Sequence, residues 1–511
     1  MSEDAAPTVG RLSPDGRWRW DGSTWTPVPV AIPHYMPAWA SLKVTVEATW
    51  WVVAAVLLVG LVADQALRVG AFGLGASLAV ACMALALVFI ARMKRLEARL
   101  LAGAAAIFGT WLSLRASPWL LWPDLAAGLI LLASAASFAR RGSLMNTGTA
   151  ESAARGFHAI LNWLAGGVWA IRPITSRHTS LAAAAPVVRG LLIATPVAVL
   201  LAGLLASADP VFASFLNIHL DFGQLLADVF FVLAGSLVMA GLLRSAGAEP
   251  IDRVDGPRWR LGAVEGLVVL AVLDAIFAAF AIAQAIAAAG AAGETLRAAG
   301  TTYSDYARSG FFQLLWVAGI TLVLLVLFSR ITALSEPASK RAFIVLAETA
   351  IALTLLIVMV ASLRLSLYES AYGFTMLRLY SHIFAGWIAL VFLLLAADLG
   401  GLYRSRRWFV GATSLTALAL LMALNFANPE AVVAQFNVDR AASTGKLDPQ
   451  YLAELSADAV PTLLASRSRI DAHFQQDVTA AVCAGPRQYQ TPIAAFNWAD
   501  AEAAQARRQG C

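Results

Sequence analysis

Apolar runs of about twenty residues alternate with short polar loops along most of this chain, and each run is long enough to cross a hydrocarbon core of roughly 30 Å as a helix. Eleven are read, at 48–67, 72–91, 100–115, 119–138, 188–207, 222–243, 261–284, 311–329, 342–362, 379–399 and 408–427. Lipid offers no partner to backbone N–H and C=O groups, so each run must satisfy them internally as a helix. The pattern predicts an all-α polytopic membrane protein of about eleven transmembrane helices.

Elsewhere the pattern changes period. Trp18, Trp20 and Trp25 alternate with polar residues around Asp21-Gly22, which predicts a small β-hairpin at about 11–29, within a polar N-terminal region 1–46, with a two-residue turn. In 157–171, Phe157, Ile160, Leu161, Leu164, Val168 and Ile171 share one helical face, away from His158 and Asn162. That segment is short and lies in a basic loop, so it reads as an amphipathic helix on the membrane surface rather than a span. If it crosses, everything after it inverts. Asp209-Pro210 has the grammar of a helix start, an N-cap followed by proline, and predicts a short helix before the sixth span. The same grammar recurs at Asn428-Pro429 and Asp448-Pro449, with Gly445 between them as a stop, and a further helix is expected in 468–483. Residues 428–511 are therefore expected to form a small α-helical domain following the bundle of 48–427.

Composition agrees with the pattern. Of 511 residues, 59% are hydrophobic and 14% charged, where soluble domains run nearer a quarter charged. No cleavable signal is evident ahead of the first run. The formal charge of +5 comes mainly from arginine, and its placement is informative. With the N-terminus inside, the inner loops hold twenty Lys and Arg, against six (Arg68, Arg115, Arg297, Arg308, Arg364, Arg378) in the outer ones. The positive-inside rule then puts the N-terminus in the cytoplasm and, after eleven spans, the C-terminal domain outside a cytoplasmic membrane. Basic residues scattered over short loops make no nucleic-acid face.

The chemistry is sparse. No Walker A, GxSxG or HExxH motif is present, and the six histidines have no ligand spacing, so no enzyme, metal or cofactor is expected. Cys82 falls in a span and reads as packing. In an oxidising compartment Cys483 and Cys511 are a disulfide candidate, the other reading being a frayed tail with Cys511 unpaired.

Ionisable residues inside apolar runs are the remaining signal, because a charge at a helix centre costs roughly 2.5–3.5 kcal/mol on insertion scales. Asp64, Asp124 and Asp398 lie near run ends and are expected to be solvated. Asp228, Glu265, Glu348 and His382 lie deeper, and Asp274 is nearest the middle. Asp274 reads either as a proton or cation site or as an interhelical hydrogen-bonding group. Glu265, within Gly262-Ala-Val-Glu-Gly266, reads as part of a close-packing face. A second group gathers on the outer side: Tyr303, Asp305, Tyr306, Arg308, Arg364, Tyr368, Glu369, Tyr372 and Arg378. Arg364, Tyr368 and Tyr372 share a face at i, i+4, i+8, as do Arg378 and His382 on the next helix. Three arginines against two carboxylates leave a positive surplus that an anionic ligand can use. An interfacial aromatic belt stitched by salt bridges is the structural alternative.

Four phrases, "SADPVFASFLN", "YSDYARSGFFQLLWVAGITL", "LSLYESAYGFTMLRLYSHIFAGW" and "NPEAVVAQFNVDRAASTGKLDPQYLAELSADAVPTL", together resemble the multi-pass bacterial family of domain of unknown function 4173, with 4153 as a near relative. The likeness covers about 190–465. The N-terminal hairpin resembles a short Trp-Asp-Gly module found ahead of bacterial membrane segments. These resemblances imply an integral membrane protein with a shared core and bring no activity or catalytic residue with them. The expected function is a non-enzymatic sensor or binding protein that meets the lipid bilayer and takes an extracytoplasmic anionic ligand or protein partner. A secondary transporter, proton-coupled through Asp274, is the alternative, and a membrane-embedded enzyme acting on lipid-linked substrates comes third.

Overall fold

The computed structural model describes residues 18–20, 22–27, 43–68, 72–175, 222–251, 260–286, 310–402 and 407–511, with isolated positions between them. It divides into two compact units, 1–41 and 42–511. In the first, β1 (Trp18–Trp20) pairs antiparallel with β2 (Trp25–Pro27). The register sets Trp20 opposite Trp25 and Trp18 opposite Pro27. Four residues, not two, thus connect the strands, with Gly22 at φ +108°. Four-residue connections are a common alternative to the two-residue turn expected at Asp21-Gly22.

In the second unit, α1 (Trp50–Arg68), α2 (Leu74–Phe89), α3 (Leu96–Leu114), α4 (Pro118–Ser137) and α5 (Thr149–Ala170) precede α6 (Phe222–Gly247). There follow α7 (Ala263–Ile286), α8 (Phe311–Ile331), α9 (Pro337–Tyr372), α10 (Met376–Leu399) and α11 (Phe409–Ala427). Eight of these, α1, α4 and α6–α11, are long and apolar enough to cross a membrane. α2 has 16 residues, and α3 carries Glu97 and Arg99 in its first turns. The predicted run 188–207 and the short helix after Asp209-Pro210 lie outside the described residues.

Buried apolar side chains form two large cores among the described residues, one among α1–α6, the other among α7–α11. Small residues set the closest approach in the first. A Cβ on Gly60 would stand 2.3 Å from Ser236 Oγ, and one on Gly235 2.5 Å from Ala63 Cβ. α1 and α6 can lie this close only because both positions are glycine.

The amphipathic 157–171 segment lies on α5, which is not among the helices long and apolar enough to cross. Its apolar residues Phe157, Ile160, Leu164 and Val168 are exposed, while Glu151, Arg155, His158 and Asn162 are buried. The helix runs along α6 from Arg155, which donates to Ile251 O at 3.1 Å, to Gly166, whose Cβ would meet Gly241 N at 2.5 Å. Arg155 also pairs with Glu151 at 2.9 Å, and Asn162 accepts from Arg244. The polar face is thus an internal seam, because it hydrogen-bonds to Ser137, Ile251 and Arg244 of the bundle.

After α11 come α12 (Pro429–Thr444), α13 (Pro449–Ala453), α14 (Val460–Ser466), α15 (Ala472–Cys483) and α16 (Trp498–Gly510). Local signals decide their ends. The Asn428 side chain accepts Ala431 N–H at 3.3 Å, Asp448 accepts Tyr451 N–H at 3.1 Å, and Gly445 closes α12 at φ +66°. These helices bury their own core around Val438, Leu452, Leu463 and Val482. A Cys483–Cys511 disulfide, with Cα atoms 5.8 Å apart, ties the end of α15 to the residue following α16.

Candidate functional site

The α9–α10 corner is built by a 36-residue helix that stops at Gly373. Gly373 has φ +86°, and a Cβ there would approach Asn437 Oδ1 and Arg440 Nη1 to 3.2 and 3.3 Å. The positive φ calls for glycine, and the tight approach adds to it. Three side chains stack across the turn: the Tyr368 and Tyr372 rings lie 4.6 Å apart, and the Arg378 guanidinium sits 4.5 Å over Tyr368. This is cation–π geometry. Arg378 also donates to Gly373 O. Beside it, Glu369 Oε2 lies 3.1 Å from His382 Nε2, and Glu369 Oε1 has no partner among the described residues. Arg364 turns the other way and donates to Gln284 Oε1 on α7 at 3.0 Å. Tyr303, Asp305, Tyr306 and Arg308 lie outside the described residues.

The intramembrane candidates do not converge. Asp274 on α7 is 8% exposed, and neither carboxylate oxygen has a partner among the described residues. Glu265 is an exposed residue of the first turn of α7, where its Oε2 accepts Gly262 N–H at 2.9 Å; it caps the helix, and the close packing belongs to Gly266, against Thr332. Glu348 is half-buried on α9. Asp228 pairs with Arg68 at 2.8 Å, and Arg68 with Asp64 at 3.2 Å, joining α6 to α1.

Of three carboxylates expected in solvent, two are buried and one is half-buried. Asp64 is 3% exposed and Asp124 0%; Asp398 is half-buried and pairs with Arg330 at 3.4 Å. Nearness to a run end is a poor guide where another element covers that end.

What covers Asp124 is a network the sequence reading missed, joining the α3–α4 turn to the C-terminal helices. Asp458 Oδ2 accepts Ala116 N–H (2.7 Å) and Ser117 N–H (2.8 Å), and its Oδ1 takes Arg115 Nη1 (3.3 Å). Arg115 also donates to Asn425 O, whose side chain reaches Asp124 at 2.7 Å. Glu430 accepts Ser117 Oγ–H (2.7 Å) and Ser456 N–H (2.6 Å). Asn497 donates to Arg115 O at 2.7 Å while capping α16. Burial pushes the Glu430 carboxyl above the usual carboxylate range, with its hydrogen bonds to Ser456 and Ser117 opposing. Asp458 lies between Ala457 and Ala459, which gives no local sign of its partner, and its pairing with Arg115 spans 343 positions.

The same domain grips the α9–α10 corner. Asn437 donates to Phe374 O (2.7 Å) and accepts Phe374 N–H (3.3 Å), while Met376 N–H donates to the Tyr451 hydroxyl (2.7 Å). The C-terminal helices therefore brace the corner that carries the stacked cluster.

With this geometry in place, comparison with known proteins gives one finding. Residues 53–466 match the family model of domain of unknown function (DUF4153), more than three quarters of the chain, and the chain belongs to that family. The match ends with α14, so the disulfide lies beyond it. No curated protein and no solved structure matches the chain.

Proposed function

We propose that this integral membrane protein is a non-enzymatic sensor or binding protein whose ligand side is the α9–α10 corner with the C-terminal helices that brace it. The observation that carries the reading is the stack of Tyr372, Tyr368 and Arg378 beside Glu369 and His382, held to the C-terminal helices through Asn437 and Tyr451. A cation held over aromatic faces, with a carboxylate–imidazole pair beside it, suits an anionic ligand or an acidic partner surface. α9 continues from that corner for 36 residues, about 54 Å at the rise of an α-helix. It is long enough to carry a displacement to the opposite side of the membrane.

The disulfide supports placing this side outside a cytoplasmic membrane, since such bonds persist in oxidising compartments, and the arginine bias of the loops favours the same orientation. Likeness to the 4173 family belongs with this reading, as a finer placement of the same uncharacterised core.

A transporter reading is favoured by one observation, the buried carboxylate of Asp274 with no partner among the described residues. An Asp274→Cys variant in a Cys82→Ser background separates the two when treated with a membrane-impermeant thiol reagent. A sensor with a dry core leaves Cys at 274 protected from both faces, while a Glu369→Cys control labels from outside only. Labelling of the 274 position from either face means that water reaches the middle of the bundle, and the transporter reading then replaces the sensor.

A further inference from the structure

A groove of about 860 Å³ lies between α14 and α16, away from the α9–α10 cluster. One wall is apolar, with Leu464; its floor and mouth carry Tyr489, Phe496 and Trp498. The other wall is a single face of α16, where Trp498, Glu502, Gln505 and Gln509 follow at i, i+4, i+7 and i+11. The aromatic floor is held in advance of any ligand. The Tyr489 hydroxyl donates to Ala495 O (3.1 Å) and accepts Asn497 N–H (2.6 Å), and its ring meets Phe496 edge-on at 5.8 Å.

The aromatic lining of the groove stands beside the start of α2 and the end of α3. Leu74 N–H, at the start of α2, donates to Phe496 O (2.9 Å), and Asn497 is bonded to Arg115 O just past α3. There Ile493 is 80% exposed and Trp498 58%. Large apolar side chains left bare beside helix ends match the headgroup zone, where tryptophan collects.

We propose that this groove binds the saccharide headgroup of a glycolipid. A pyranose has an apolar C–H face that packs on aromatic rings, and ring-edge hydroxyls that both donate and accept. Trp498 and Tyr489 supply the first need; Gln505, Gln509 and Glu502 supply the second. The charges argue against an ionic headgroup, because Glu502 and Arg508 offset one another and Arg508 is held by Arg487 O at 3.3 Å. An apolar peptide leaves the wall of amides and carboxylate without partners. The lipid source follows from the exposed Ile493 and Trp498 beside the ends of α2 and α3. The proposal names a ligand class for the side read above as ligand-facing, and rests on that reading for its physiological meaning.

The test uses the full chain in nanodiscs of phosphatidylglycerol and phosphatidylethanolamine doped with a glucosyl-diacylglycerol, reading glycolipid retained per protein. Enrichment of about fivefold or more over bulk is expected, lost in Trp498→Ala and in Gln505→Ala and largely kept in Trp498→Phe. Both positions are exposed, and an intact Cys483–Cys511 bond with unchanged elution certifies each fold; should Trp498→Ala misfold, Gln505→Ala carries the test. Absence of enrichment, or enrichment equal in both alanine variants, overturns the site. A soluble glucose disaccharide competing as well as the glycolipid overturns the lipid assignment. Nanodiscs expose both faces, so a wrong orientation fails the thiol-labelling experiment and leaves this one intact.

Discussion

Two aspartates, both at least nine-tenths buried, sit in opposite situations. Asp458, at the junction of the membrane bundle with the C-terminal helices, accepts two backbone N–H groups and an arginine. Asp274, in α7, has neither oxygen partnered among the described residues. A buried carboxylate whose lone pairs are filled holds two elements together, and its environment is as built as any hydrophobic core. One with none filled among the described residues is retained at a cost that packing does not explain. Burial alone therefore does not mark a functional residue; the count of satisfied lone pairs separates the two.

The largest effect expected from this contrast is at Asp458. Asp458→Ala leaves two backbone N–H donors without their acceptor and removes the half-buried Arg115 ion pair, which costs about 3–5 kcal/mol by analogy with broken buried ion pairs. Chemical or thermal unfolding in nanodiscs measures it, and limited proteolysis should release the C-terminal helices. Asp458→Asn, which keeps one acceptor, should lose less. If the two substitutions cost the same small amount, the junction is not held by these bonds.

A smaller effect is expected from pH at the same junction. Glu430 and Asp500 are both pushed above the usual carboxylate range by burial. Their folded forms keep a proton that the unfolded chain releases, so their contribution is fully present below the ordinary carboxylate range. It is lost as pH rises through the raised values. The junction should therefore loosen on that rise, by less than Asp458→Ala, and Glu430→Gln should flatten the slope while leaving the bonds to Ser117 and Ser456 possible. A slope of opposite sign would show that another group dominates.

The smallest effect sharpens the other side. Asp274→Leu removes a charge that makes no described hydrogen bond, so unfolding stability should stay within about 0.5 kcal/mol or rise. A loss of about 2 kcal/mol or more would reveal a partner and make Asp274 structural like Asp458.

Much of the helical layout was legible because it follows from local rules. Eight long apolar helices coincide with predicted runs, and Asn428, Gly445 and Asp448 mark helix ends through their own side chains or backbone angle. The i, i+4 geometry likewise brought Tyr368 onto Tyr372. The failures share a cause. The amphipathic pattern of α5 does not by itself say which face packs on the bundle, and it is the polar one. Asp64 and Asp124 were expected in water from their place along a run, although other elements bury them.

By itself the sequence determined that the chain enters a membrane, where most of its helices begin and end, and which polar groups are too costly to be incidental. These depend on hydropathy, helix period and capping, which act within a few residues. Only the tertiary structure decided which polar groups are satisfied and by whom. That the α3–α4 turn is filled by Asp458, Glu430 and Asn497 depends on contacts more than three hundred positions apart, and hydrogen bonding over such separations leaves no periodic trace in the sequence.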